Sequence, residues 1–193
     1  MFNDRSSPST LLATRRSGKA RDLIAPGPDA GQLRRILAAA MRVPDHGKLA
    51  PWRFVVIDAD RHDAFAALLT DAYLAEKPSA GRLEIEAIEQ FARQGETIVA
   101  VLSTPAENSK IPRWEQELSA GAACMALLIA AHAEGFVGSW LTGWAAYDPI
   151  VLQALGGAPS DRIAGFLFLG SPSRQLEERP RPVYEAVVSI WKG

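Results

Sequence analysis

The chain predicts a layered α/β or α+β fold. Apolar runs of two kinds alternate along it, some continuous and β-prone, others spaced at the helical period. Turn residues punctuate them. Its 193 residues, 48% hydrophobic and 22% charged, suit one domain with a substantial core. The 21 basic and 22 acidic side chains leave a net charge of -1, so no global basic field recommends nucleic acid as a partner. The lone Cys124 excludes an internal disulfide framework and a cysteine metal cluster.

The elements follow in order. The polar start lacks the apolar core of a signal peptide, and residues 1–8 are expected to be flexible. Leu11, Leu12 and Ala13 predict a short helix ending near Arg15. Asp29 and Gln32 form a capping pair for a helix reaching about Arg42, where Pro44 stops it. Phe54 to Ile57 reads as a strand covered on both faces. Phe65, Leu68 and Leu69 mark a helix, followed by a polar excursion over 73–81 and a helix from Leu83 to Arg93. Ile98 to Leu102 reads as a buried strand.

Pro112 opens a long helix and Gly135 closes it. Its stretch from Ser119 to Ala133 is small and apolar nearly all round, which predicts burial on every side, aided by a second subunit. It is too short, against the about 20 residues a bilayer span needs, to be a membrane segment, and the expected location is cytoplasmic. Val137 to Leu141 predicts a strand, Asp148 caps a helix through Leu155, and Ile163 to Leu169 predicts a further strand. The charged, Pro-rich residues 174–182 do not predict a folded element, yet Val187, Val188, Ile190 and Trp191 beyond them need a docking site.

Three segments are candidates for chemistry. Arg15-Arg16-Ser17-Gly18-Lys19 is either a solvated cationic helix end or an anion contact, since the arginine fork suits phosphate. His46 is either a structural or surface histidine or a general base. Trp140 is either core or the wall of a flat ligand. No carboxylate or second histidine stands at metal-ligand spacing, and Cys124 reads as an inert buried thiol. The hydrolase elbow, the phosphate loop and the dinucleotide glycine fingerprint are all missing.

Several motifs, in this order and spacing, resemble the FMN-dependent nitroreductase family, closest to its small bacterial branch. They are Arg15-Arg16-Ser17, Arg42-Val43-Pro44-Asp45-His46, Pro51-Trp52, Pro112-Arg113-Trp114-Glu115-Gln116-Glu117, Ser119-Ala120-Gly121 and Phe166-Leu167-Phe168-Leu169-Gly170. The resemblance covers nearly the whole chain. It implies a three-layer α+β fold, with a mixed central sheet flanked by helices. It implies one FMN-binding domain over 1–193, ending in an extended arm over 174–193, built as an intertwined homodimer with FMN at the subunit interface.

Residue by residue, Arg15 and Ser17 resemble an FMN-binding pair, with Arg16 in the same cluster and Lys19 as the cation beside the flavin pyrimidine. Arg42 and His46 match further FMN positions. Trp140, Leu141 and Thr142 match the segment beside the isoalloxazine ring, although relatives carry a cation where this chain has Leu141. Ser171 and Arg174 are additional candidates for the phosphate. The implied reaction passes hydride from NADH or NADPH through FMN to nitroaromatics, quinones or similar acceptors, with no catalytic side chain and no metal. A flavin-binding or sensor module without turnover, and a flavin oxidase or dehalogenase, are the alternatives.

Overall fold

The structure, a computed structural model, describes residues 1–193. Helix α1 (Pro8–Thr14) begins where the Ser7 side chain accepts from the Thr10 amide, with proline in the first turn. Strand β1 (Leu23–Ile24) and helix α2 (Ala30–Ala40) follow. At α2 the Asp29 and Gln32 side chains cap each other's amides, the capping box the sequence announces. Next come β2 (Trp52–Asp58), α3 (His62–Glu76), α4 (Arg82–Ala92), β3 (Thr97–Ser103) and α5 (Arg113–Ala133). Strand β4 (Val137–Leu141), α6 (Pro149–Ala154), β5 (Arg162–Pro172) and a short α7 (Tyr184–Val187) complete the chain.

β5 is the axis of the sheet. Phe168 faces Ile98 of β3 on one edge and Ser139 of β4 on the other, β2 lies outside β3, and β1 pairs the end of β5. All these pairings are antiparallel, which corrects the mixed sheet implied by the resemblance. The connections explain it. The helix pair α3 and α4 carries the chain out and back between β2 and β3, and α6 returns it from β4 to β5 at the same end.

The layers are as expected. Ile98, Ala100, Phe166 and Phe168 pack under α3 and α4, where Phe91 meets Phe166 and Phe168 edge-on at 5.5 and 5.2 Å. Val99, Val101, Leu167 and Leu169 pack under α2 and α5 against Ile36, Cys124 and Leu127. β3 is buried throughout.

Three local expectations are corrected. β2 is not covered on both faces: it is the outer strand, and only Ile57 is buried. The excursion over 73–81 shrinks to the residues after Glu76. Tyr73 stays in α3, edge-on to Trp144 at 4.9 Å and donating to Glu84 at 3.0 Å. And α5, for all its apolar residues, is not buried all round within one chain. It turns Ala120, Ala123, Cys124, Leu127 and Ala131 inward, while Trp114 and Leu118 are exposed and Ala122, Met125 and Ile129 are half-buried. At Gly121, on that outer face, an added Cβ would meet nothing within 4 Å.

Residues 173–193 leave the sheet as an arm. Tyr184, Val187, Ile190 and Trp191 on it are exposed, Trp191 by 89%. At the other end, residues 1–8 are tied to the exit of α1: the Asn3 side chain accepts from the Arg16 amide at 2.7 Å and donates to its carbonyl at 3.1 Å. No helix is long and apolar enough to cross a membrane.

Candidate cofactor site

α1 ends at Arg15 in an extended conformation, and the Asn3 clamp holds the strand-like segment that follows. Gly18 lets this segment run against the start of β4: an added Cβ would stand 3.0 Å from Val137 and 3.2 Å from Leu23. Between the segment and the end of β4 lies a cavity of about 520 Å³. Arg15 to Lys19 form one wall and Ser139 to Thr142 the opposite one. Met125 and Leu128 of α5 line it, and Arg179 and Arg181 enter from the arm.

Three of the five cations lining this cavity, Arg15, Arg179 and Arg181, have no carboxylate partner. Arg15 donates to the Ser17 hydroxyl at 3.2 Å and pairs with no carboxylate. Burial first, then the neighbouring Arg181 and Arg16 charges, push its pKa down. Arg179 and Arg181 likewise make no ion pair, whereas eleven ion pairs form in the chain, two of them on Arg16 and Lys19 of this same cavity. Guanidinium groups without carboxylate partners favour a multiply charged anion.

The other cations of the cluster are engaged. Lys19 Nζ lies 3.3 Å from Glu177. Arg16 is mostly covered, with Nε 3.9 Å from Glu178 and without a hydrogen-bond partner.

The opposite wall is flat and aromatic. The Trp140 indole donates to the Ala164 carbonyl at 3.1 Å and lies against Gly165, where any Cβ would collide with the ring. Leu141, opposite Phe166 in the ladder, packs its side chain on the core beneath α3 and α4. A cation at 141 would lose that packing.

Arg42 and His46 do not join this cavity within one chain. The turn at Pro44 carries His46 to the N-terminal half of α5, where it borders a separate hollow of about 340 Å³ with Leu118, Ser119 and Ala122. His46 Nδ1 lies 2.7 Å from Glu115, and Ser119 donates to the Pro44 carbonyl at 2.8 Å. Leu118 and Met125 mark the two hollows on the same outer face of α5, seven residues and thus roughly 10 Å apart along the helix. Ser171 and Arg174 also lie outside the larger cavity. The Ser171 hydroxyl donates to Pro26, and Arg174 approaches Asp22 at 3.8 Å.

Behind Arg15, His132 is fully buried and accepts from the Gly138 amide at 3.3 Å; burial, and secondarily the Arg15 charge, push its pKa down to about 4. Cys124 is buried, and burial pushes its thiol up to about 12, which makes it a poor nucleophile.

Arg179 and Arg181 are the site residues the sequence reading missed. Their signal was present in Arg179-Pro180-Arg181-Pro182. A residue before proline is confined to extended conformations, and residues two apart on an extended chain share a face.

This architecture is a layered α+β fold with helices on both faces of an antiparallel sheet, and the model of the nitroreductase family matches residues 12–171. The chain belongs to the nitroreductase family and with it to the oxidoreductases. It is 41% identical over 162 residues to the Escherichia coli K12 protein named Putative NAD(P)H nitroreductase YdjA, covering 84% of this chain and 86% of that one. Among solved structures it superposes on a nitroreductase-like family protein from Bacillus cereus with a TM-score of 0.79 at 19% identity, over 97% of each chain. The FMN- and NADPH-dependent nitroreductase NfnB from Sphigopyxis sp. strain HMH gives a TM-score of 0.73 at 19% identity, over 97% of this chain and 99% of that one.

Proposed function

We propose that this chain is the protomer of a homodimeric, FMN-dependent oxidoreductase of the cytoplasm, oxidising NADH or NADPH and reducing nitroaromatics, quinones or similar electron-poor acceptors. The observation that carries the reading is the set of unpaired arginines, Arg15, Arg179 and Arg181, in one cavity walled by Trp140. A phosphate-bearing, planar cofactor fits both features. The orphaned, buried Nε of Arg16 at the same cavity fits an anion as well.

In this reading Arg15 and Ser17, with Arg179 and Arg181, hold the phosphate. Trp140, Leu141 and Thr142 border the ring, and Lys19 supplies positive charge beside the pyrimidine. FMN supplies the hydride-transfer chemistry, and the protein supplies orientation and electrostatics. With FMN bound, Lys19 would supply fixed positive charge beside it, as preorganised charge does in other active sites.

The dimer rests on the outer face of α5. Its apolar residues lack a cover within the chain, and Gly121 leaves room for close approach of a second backbone. A two-fold axis crossing the helix between the two hollows sets the Arg42–His46 turn of one protomer against the Arg15 cavity of its partner. The exposed Tyr184, Val187, Ile190 and Trp191 then cover the other subunit, with residues 1–193 forming one domain and its arm.

The purified protein should carry flavin absorption that bleaches anaerobically with NADH or NADPH and returns on adding a quinone. A protein that takes up no FMN contradicts the reading; a flavin that NAD(P)H does not reduce contradicts the enzyme.

A further inference from the structure

Resting on the flavin reading above, we propose that Glu177 and Glu178 are positioning residues, pinning the root of the arm to Lys19 and Arg16 so that Arg179 and Arg181 face the anion cavity.

The arm begins firmly. Ser173 donates twice to the Asp22 carbonyl, at 2.9 Å from both its amide and its hydroxyl, and Leu176 packs on the core. Glu177 and Glu178 make the next contacts, at 3.3 Å to Lys19 and 3.9 Å to Arg16. Two residues on, the structure sorts the charges by sign. Arg179 and Arg181 line the cavity, and neither glutamate does. The alternating prolines keep both arginines extended and on one side. Beyond them the chain is exposed to its end, so the two glutamates are the last ties before the arginines.

Each ion pair is solvent-exposed and weak by itself. Its effect is on order: a segment already held near the cavity loses less freedom when its arginines close on an anion. The sign of this effect opposes simple electrostatics. Removing two negative charges near a phosphate site should strengthen anion binding through the field alone. A positioning role weakens it instead.

The test compares FMN with riboflavin, which lacks the phosphate, by fluorescence titration of the full-length protein. In Glu177→Gln/Glu178→Gln, FMN affinity is expected to fall about five- to tenfold, with riboflavin affinity unchanged. In Arg179→Gln/Arg181→Gln the preference for FMN over riboflavin should shrink further, and adding the glutamate changes to that variant should do nothing more. Equal or tighter FMN binding by the glutamine pair overturns the inference, as does an equal loss for both flavins. A wild-type protein binding neither flavin overturns the flavin reading and this inference together, whereas FMN preference untouched by the glutamates overturns this inference alone.

Discussion

Arg181 of the C-terminal arm shares a cavity with Arg15 at the exit of α1, and neither guanidinium is paired with a carboxylate. The two positions are far apart in sequence and belong to the two ends of the fold. Like charges held together this way mark the place of an anion, so Arg15→Ala should weaken FMN retention. Loss of a charged hydrogen-bond donor at about 1.5–3 kcal/mol raises Kd roughly ten- to a hundredfold. Equilibrium dialysis checks it, and a variant that keeps its FMN through extensive dialysis contradicts the phosphate role.

Lys19 is expected to act on rate more than on retention. Lys19→Ala should slow flavin reduction by NAD(P)H in stopped-flow measurements while shifting the Kd for FMN less. An unchanged reduction rate removes Lys19 from its proposed role.

Gly165 lies under the Trp140 indole with no room for a methyl group. Gly165→Ala forces the ring away, at about 1–3 kcal/mol for overpacking, which lowers Tm by roughly 3–10 °C in a chain of this size. Adding Trp140→Leu should recover part of the loss. Thermal unfolding of the three variants measures both effects.

His132 gives stability a pH dependence of definite sign. Its folded pKa is depressed to about 4, chiefly by burial, below the ordinary histidine value of 6.5. Above the unfolded value neither state binds the proton, and the stability is full. As pH falls from about 6.5 towards 4 the unfolded state takes up the proton first, so stability declines by up to roughly 3 kcal/mol. Urea unfolding at several pH values should show this slope in the wild type and lose most of it in His132→Gln. A slope surviving the substitution assigns the effect to other groups.

Gly121→Leu separates folding from assembly. The space beside Gly121 is open within the chain, so the monomer should fold with undiminished helix content. The leucine obstructs close approach of a second α5, so sedimentation should show a shift from dimer to monomer. A fully dimeric variant contradicts the proposed interface.

Much of this architecture was legible because local chemistry decides it. Asp29 and Gln32 cap each other without help from the rest of the fold, and Gly135, at φ 99°, ends α5 where a side chain would be strained. β3 reads as buried from its apolar run alone. What failed depends on neighbours. Phe54 to Ile57 looks like Ile98 to Leu102, but position at the sheet's edge exposes it. Tyr73 stays helical because Trp144 and Glu84, distant in sequence, hold it.

The site divides in the same way. The cluster from Arg15 to Lys19 and the Trp140 turn could be named from their residues, and the fold sets them on facing walls. His46 carries no local sign that it faces the other half of α5. Arg179 and Arg181 sit in a segment whose polar, Pro-rich composition reads as an unfolded tail. The ties that hold its root, Ser173 to Asp22, Leu176 on the core and the glutamate contacts, are all to residues distant in sequence.

The visible absorption spectrum of the purified protein, followed through an anaerobic NAD(P)H titration, tests the central claim most directly. The protein should show flavin bands released as FMN on denaturation, bleaching with NADH or NADPH and recovering with a quinone or nitroaromatic. A colourless protein that does not take up added FMN would contradict it.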